Sequence, residues 1–382
     1  MAQDVFDHCV IGSGIAALGA VSALADRGIT NFCVITDDRS DLQQYDPPQI
    51  LRFLGQGGTS NYWHGVIPSV PETPLRRDLF TRFFDHDPNL WLRENIFVPK
   101  TPLHSWTHLH GQLTAEQHIK DQADSLIPGA TATTVTLKGG RHIKAGQVWC
   151  GAGVLGSLGI LHRSSLSPAK VTVGDHICGF VGMLNAQQAA QILKTPVTST
   201  RGHDGYSVPC WFSADQKTLF TLRPARLEMR RPDRQNRGGP KFAMSKGQVI
   251  WGLLKSGSLG RLSEAVALKT GQGFQADHYA VHFQHECRET HICDVETETL
   301  RPIYQKEAIL EQVSKATAPT EHFPTVPDQD LYYGTHLFGA KGLPELPAGI
   351  DVIDSTCQIS IGGGHHSFSQ LVQAYDMVQN SK

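Results

Sequence analysis

The chain has 382 residues, 40% of them hydrophobic, which is enough for a large core in one big domain or two interleaved ones. A formal net charge of −2 gives no global electrostatic pull toward nucleic acid or a membrane surface. No apolar run approaches the roughly 18 residues of a membrane span, and the first residues lack the basic, apolar and small-residue progression of a signal peptide. Eight scattered cysteines, with no CxxC among them, read as reduced core residues of a cytoplasmic protein.

The first forty residues carry the strongest pattern. Cys9-Val10-Ile11 reads as a buried strand that breaks at Gly12-Ser13-Gly14. A helical run follows from Ile15 to Arg27, with Gly28 as its stop. A second apolar run, Phe32 to Ile35, ends at Thr36-Asp37-Asp38. Strand, tight turn, helix, strand and acid in this order mark a dinucleotide-binding unit. Gly12 and Gly14, with Ala17 three places on, allow a sharp turn and close approach of a pyrophosphate to the helix N-terminus. Asp37 stands where an acid bonds a ribose hydroxyl of the adenosine half. These residues alone do not separate FAD from NAD.

Residues 39–52 are polar around Pro47-Pro48 and predict a surface loop. In Gly55-Gln56-Gly57-Gly58-Thr59-Ser60-Asn61-Tyr62-Trp63-His64-Gly65, glycines followed by hydroxyls and aromatics suit a backbone folded against a flat ligand. A helix is expected over Thr114–Leu126, and strands over Ala132–Leu137 and Ile143–Trp149. Cys150-Gly151-Ala152-Gly153-Val154-Leu155-Gly156-Ser157 is a second strand, small-residue turn and helix, where a ligand can lie on the backbone. From about residue 186, Gln248–Leu254 and Tyr279–Phe283 read as strands of an antiparallel sheet.

The basic stretch Arg223–Lys241 reads as a solvated loop, with contact to an anionic substrate or acidic partner as the sharper option. The run from His282 to Cys293 holds metal-capable side chains without tetrahedral spacing. Period-two alternation, with His282 and Gln284 on one face, explains it, and no metal is expected. Lys306–Lys315 reads as a polar helix. The last fifty residues carry Gly334-Thr335, Val352-Ile353-Asp354-Ser355, Gly362-Gly363-Gly364-His365-His366 and a final helix.

Four motifs in order now resemble the glucose–methanol–choline (GMC) family of flavin oxidoreductases. They are Gly12-x-Gly14-x-x-Ala17 with Asp37; Gly55-x-Gly57-Gly58-Thr59-Ser60-x-x-Trp63; Gly151 to Ser157 with Val173-Gly174-Asp175-His176; and Gly334-Thr335 with Val352 to Ser355 and the glycine-rich turn. The resemblance implies FAD rather than NAD. It implies an α/β fold in which a Rossmann-like FAD-binding domain (1–69, 131–185 and 331–382) is interleaved with a reduced antiparallel-sheet substrate domain (70–130 and 186–330). Gly12, Gly14, Ala17, Asp37, Gly57, Gly58, Thr59, Ser60, Asn61, Trp63, Ala152, Gly153, Asp354, Ser355 and His365 are then the expected cofactor contacts. Tyr62 stands where some relatives carry a histidine attached to the flavin, so binding is expected to be non-covalent.

The resemblance also implies a catalytic pair. One position falls on His365, with His366 beside it; the other falls on Leu331. A neutral imidazole can take a carbinol's O–H proton as its hydride leaves. His365 and His366 are therefore the catalytic candidates in an FAD-dependent oxidation of an alcohol or sugar-like carbinol. Leu331 motivates a second reading, flavin chemistry without net alcohol oxidation: a desaturation, carbon–carbon bond change or redox-neutral rearrangement. A third reading is a non-catalytic flavin-binding partner module. The chain is shorter than the family's usual members, which implies a more open site. Such a site suits a bulky small-molecule or carrier-bound substrate, or calls for a second subunit or protein partner to cover the flavin. The motifs do not specify the electron acceptor.

Overall fold

The computed structural model describes residues 4–37, 39, 41–45, 50–58, 60, 67–68, 73–84, 95–99, 103–194, 205–215, 217–224, 278–303, 305, 308–309, 311–313, 332–333, 337–341, 343–357 and 366–381. The chain opens with β1 (Asp4–Ile11), α1 (Ile15–Asp26) and β2 (Phe32–Thr36). The end of β1 is apolar because it is covered on both faces: Cys9, Val10 and Ile11 are all buried. Parallel neighbours flank it, with Ile11 opposite Ile35 of β2 and opposite Cys150 of a later strand.

Next come a ribbon of β3 (Asp41–Tyr45) and β4 (Ile50–Leu54), then β5 (Ile67–Pro68), α2 (Pro74–Phe83), β6 (Asn95–Pro99) and α3 (Ser105–His110). The ribbon corrects the loop expected over residues 39–52. Two extended runs on either side of Pro47-Pro48 pair antiparallel, and each satisfies the other's peptide groups.

A second correction concerns Thr114–Leu126, expected as a helix. It forms β7 (His118–Lys120) and β8 (Ala123–Ile127) instead. Ile119, Ala123 and Leu126 are buried at a spacing that mimics a helix. The free edge of β2 and the neighbouring β9 (Thr133–Leu137) supply strand partners, and that pairing overrides the local pattern. β10 (His142–Cys150) completes the expected pair of strands and lies beside β1.

After β10 come α4 (Val154–Arg163), β11 (Lys170–Asn185), α5 (Ala186–Leu193), β12 (Gly205–Phe212), β13 (Thr218–Pro224), β14 (His278–Asp294), β15 (Thr299–Pro302), β16 (Tyr332–Tyr333), β17 (Phe338–Lys341), β18 (Ile350–Val352) and α6 (His366–Gln379). The first sheet runs β7-β2-β1-β10-β9-β8, with β18 also against β10. One face packs on α1, α2, α3 and α6 through Val10, Leu18, Phe80, Leu109 and Leu371. The other carries Cys9, Ile11, Val135 and Ile160. The fold is α/β, with a Rossmann-like parallel unit beside a large antiparallel sheet.

That second sheet runs β16-β11-β14-β13-β12-β6-β5, with β15 and β17 attached. β11 and β14 pair along nearly their whole lengths. In β14, Tyr279, Val281 and Phe283 enter an apolar cluster with α5 and with Ile309 and Val313. His282 and Gln284 fall on the opposite face, as strand alternation requires. Val154 and Leu158 of α4 join Val171, Val173 and Cys293, so one apolar cluster ties the two sheets together. Within Lys306–Lys315, residues 308–309 and 311–313 are helical. The expected strand at 248–254 and residues 225–241 of the basic stretch lie outside the described residues. Among the described residues no helix is long and apolar enough to cross a membrane, and no cluster of potential metal ligands occurs.

Candidate flavin site

The turn after β1 is the base of the site. Gly12 has φ +106°, a conformation that L side chains rarely adopt, and a Cβ there would lie 2.3 Å from the carbonyl oxygen of Gly151. Two glycine turns from distant parts of the chain therefore touch backbone to backbone. Gly151 N–H donates to Ile11 O (2.8 Å) and Gly12 N–H to Ile35 O (2.9 Å), which fixes the turn at the carboxyl ends of three parallel strands. α1 follows Gly14, whose backbone is extended. It has no side-chain cap and no acid in its first turn. Its first amides are thus left for an anion, in the field of the helix N-terminus. That is the fit expected for a pyrophosphate. Ala17 is fully buried beneath the turn and packs the helix onto the sheet.

The loop carrying Gly57, Gly58 and Ser60 is latched over this turn. Gly57 N–H donates to Ser13 Oγ (2.9 Å), and Ser60 Oγ donates to Gly57 O (2.6 Å). Ser105, at the start of α3, closes the latch: its hydroxyl donates to Ser13 O (2.8 Å) and lies 2.7 Å from Ser60 Oγ. Ser105 escaped the sequence reading because it belongs to no glycine motif.

The return motif builds the other wall. Gly153 precedes α4 with φ +75° and is exposed. Ala152 N–H donates to Ser157 Oγ (3.2 Å), and that hydroxyl in turn donates to the carboxylate of Asp354. Asp354 is 4% exposed. Thr356 donates to it through both its N–H (2.8 Å) and its hydroxyl. Burial pushes the Asp354 carboxyl above its ordinary range, and the Ser157 and Thr356 hydrogen bonds oppose that rise. Ser355 Oγ donates to Leu337 O (2.8 Å), which anchors this turn to the strand β17.

Asp37 follows β2, as expected of the ribose-binding acid, and it is partly engaged. Arg39 meets both its carboxylate oxygens, at 2.9 Å from Nε, and adds a backbone N–H at 3.1 Å. Partial burial raises the carboxyl's pKa. The Arg39 contacts and nearby Lys138 outweigh it and hold the group below its usual range. Thr59, Asn61, Trp63, Leu331 and His365 lie outside the described residues. His366 is the first residue of α6.

Comparison with solved structures agrees with this geometry. The chain matches a pyridoxine 4-oxidase from Mesorbium loti at TM-score 0.50 and 10% identity, over 99% of each chain. It matches a formate oxidase variant from Aspergillus oryzae RIB40, studied for FAD modification, at TM-score 0.53 and 8% identity, again over 99% of each chain. This chain has the GMC oxidoreductase fold. No family model matches the sequence, and no curated protein matches it either.

Within this GMC fold, the final helix is set by a contact that no motif announced. A Cβ on Gly19 of α1 would lie 2.2 Å from Leu371 O, so α6 crosses α1 backbone to backbone. Tyr375 donates to Asp26 (2.7 Å), and Arg27 donates to Val378 O (2.6 Å). These contacts fix the helix that begins immediately after His365.

Proposed function

We propose that the protein is an FAD-dependent oxidoreductase that binds its cofactor non-covalently and oxidises an alcohol or sugar-like carbinol. One observation carries the reading: the Gly57 loop and the Gly151 turn meet at the uncapped N-terminus of α1, through the Ser13–Gly57–Ser105 latch and the Gly12–Gly151 contact, and the Ser157–Asp354 bond ties the Asp354 turn to the turn after Gly151. The amides of α1 take the pyrophosphate, and Asp354 holds the Gly153–Ser157 turn beside it. When bound, FAD supplies a hydride acceptor. His365 takes the carbinol O–H proton or holds its oxygen, with His366 adjacent.

The test is direct. Purified protein should show a flavin absorbance band that an accepted alcohol bleaches anaerobically, and the product should be lighter by about two hydrogens. In flavin-loaded protein, His365→Ala should slow bleaching by about 100-fold or more. Bound flavin that no carbinol reduces, or a product of unchanged mass, would overturn the carbinol reading.

A further inference from the structure

α2 meets α6 through two arginines, one at each end, and their settings differ. Arg82, in the last turn of α2, bonds Asp26 (2.8 Å) and lies 6.0 Å from the centre of the Tyr375 ring. Its side chain is exposed. Arg76, in the first turn, is 7% exposed. Burial lowers its pKa to about 10, so the guanidinium stays charged at neutral pH. The Thr73 cap holds its backbone, accepting from Arg76 N–H (3.2 Å).

The Arg76 side chain reaches the start of α6. Nη1 donates to Ser369 Oγ (3.1 Å), and Cζ lies 5.1 Å from the centre of the Phe368 ring. Phe80 and Phe84 close on the same ring, each with its centroid 6.1 Å away. A buried charge is a costly way to pack two helices, because an apolar side chain of similar volume covers the same surface without desolvating a cation. What the guanidinium adds is direction: an N–H aimed at one hydroxyl and a cation held over one ring. Both contacts fall within the first turn of α6, and Ser369 shares a helix face with His366, three places before it. The Gly19–Leu371 and Tyr375–Asp26 contacts fix α6 further along; Arg76 fixes its beginning.

We infer that Arg76 is a positioning residue for the reaction: through Phe368 and Ser369 it holds the helical turn that leads out of His365 and His366. The inference rests on the carbinol reading above, and the experiment separates the two. In flavin-loaded protein, Arg76→Met keeps the bulk and loses both the donor and the charge. The limiting rate of anaerobic bleaching by an accepted alcohol should fall about ten-fold or more, with the half-saturating alcohol concentration within about two-fold of the parent's. Arg76→Lys offers an ammonium to Ser369 and Phe368, and should recover the rate to within about three-fold. Packing alone predicts the opposite order, because methionine buries no charge. Arg82→Met, at the other end of α2, should bleach like the parent. Ser369→Ala removes the acceptor and should slow bleaching about three-fold, which keeps the test open if Arg76→Met does not fold. Hydrogen exchange at Gln370–Gln373, whose amides close the first turn, should quicken in Arg76→Met and not in Arg82→Met.

Bleaching at the parent's rate in Arg76→Met, or in Ser369→Ala where Arg76→Met does not fold, would overturn the inference. Equal slowing in the Met and Lys variants, or an equal loss in Arg82→Met, would also overturn it. A parent flavin that no carbinol bleaches discards the carbinol reading alone. The exchange measurement then decides the anchor: quicker exchange confined to Arg76→Met keeps it, and unchanged exchange removes it.

Discussion

At Gly12 a single hydrogen in place of a side chain lets two turns meet. Gly12→Ala would place a methyl 2.3 Å from Gly151 O at a φ of +106°. We expect a loss of about 2 kcal/mol or more from the strained backbone, together with loss of bound flavin. Melting temperature and the ratio of flavin to protein absorbance check it. Asp354 works through its acceptors. Asp354→Asn offers an amide in place of one oxygen and cannot accept from both Ser157 and Thr356. A cost of about 1–3 kcal/mol is expected in denaturant unfolding, with reduced flavin retention. His291 sets a pH dependence of stability. It is 1% exposed, and burial pushes its pKa down to about 4. The unfolded chain therefore takes up this proton first. Stability from the neutral imidazole is complete above about pH 6.5 and is lost as pH falls toward about 4. Urea unfolding across that window should show the decline, and His291→Gln should flatten it.

At the scale of elements, the crossing of α1 and α6 governs the C-terminal end of the site. Gly19 is a small residue in a helix interior, normally a cost of about 1 kcal/mol against alanine. Here it lets Leu371 O approach where a Cβ would lie 2.2 Å away. Gly19→Leu should lift α6 off the sheet. Hydrogen exchange at Leu371–Val378 should then quicken well before global unfolding. A substitution at exposed Gly153 meets no atoms within 4 Å, but its positive φ still strains any side chain. The segment 114–126 shows the limit of reading elements from spacing. Buried positions three and four apart are compatible with a helix and with two short strands at sheet edges. The choice was made by β2, which lies far away in sequence, and by β9, which returns across a short turn.

For the whole molecule, the dinucleotide would act as a tie. β1, the Gly57 loop, the Gly151 turn and the Asp354 turn come from four stretches of the chain, and a ligand touching all of them binds only the folded form. Saturating FAD at about 100-fold over its dissociation constant should add about 2.7 kcal/mol of stability. FMN, which lacks the adenosine half, should add less. Thermal unfolding with each ligand measures the difference. Protection from proteolysis should follow the same order.

The sequence by itself determined the β1–turn–α1–β2 unit, because its glycines, helix and acid act within one continuous stretch. It also specified the later glycine turns, whose backbone demands are local. Only the tertiary structure decided which of them meet. The Gly57–Ser13 and Ser157–Asp354 bonds join residues 44 and 197 apart, and strand order brings them together. Ser105 and Gly19 belong to no motif for the same reason. Their roles arise from what a distant segment places against them, and that is set by sheet pairing and helix packing rather than by their neighbours in the chain.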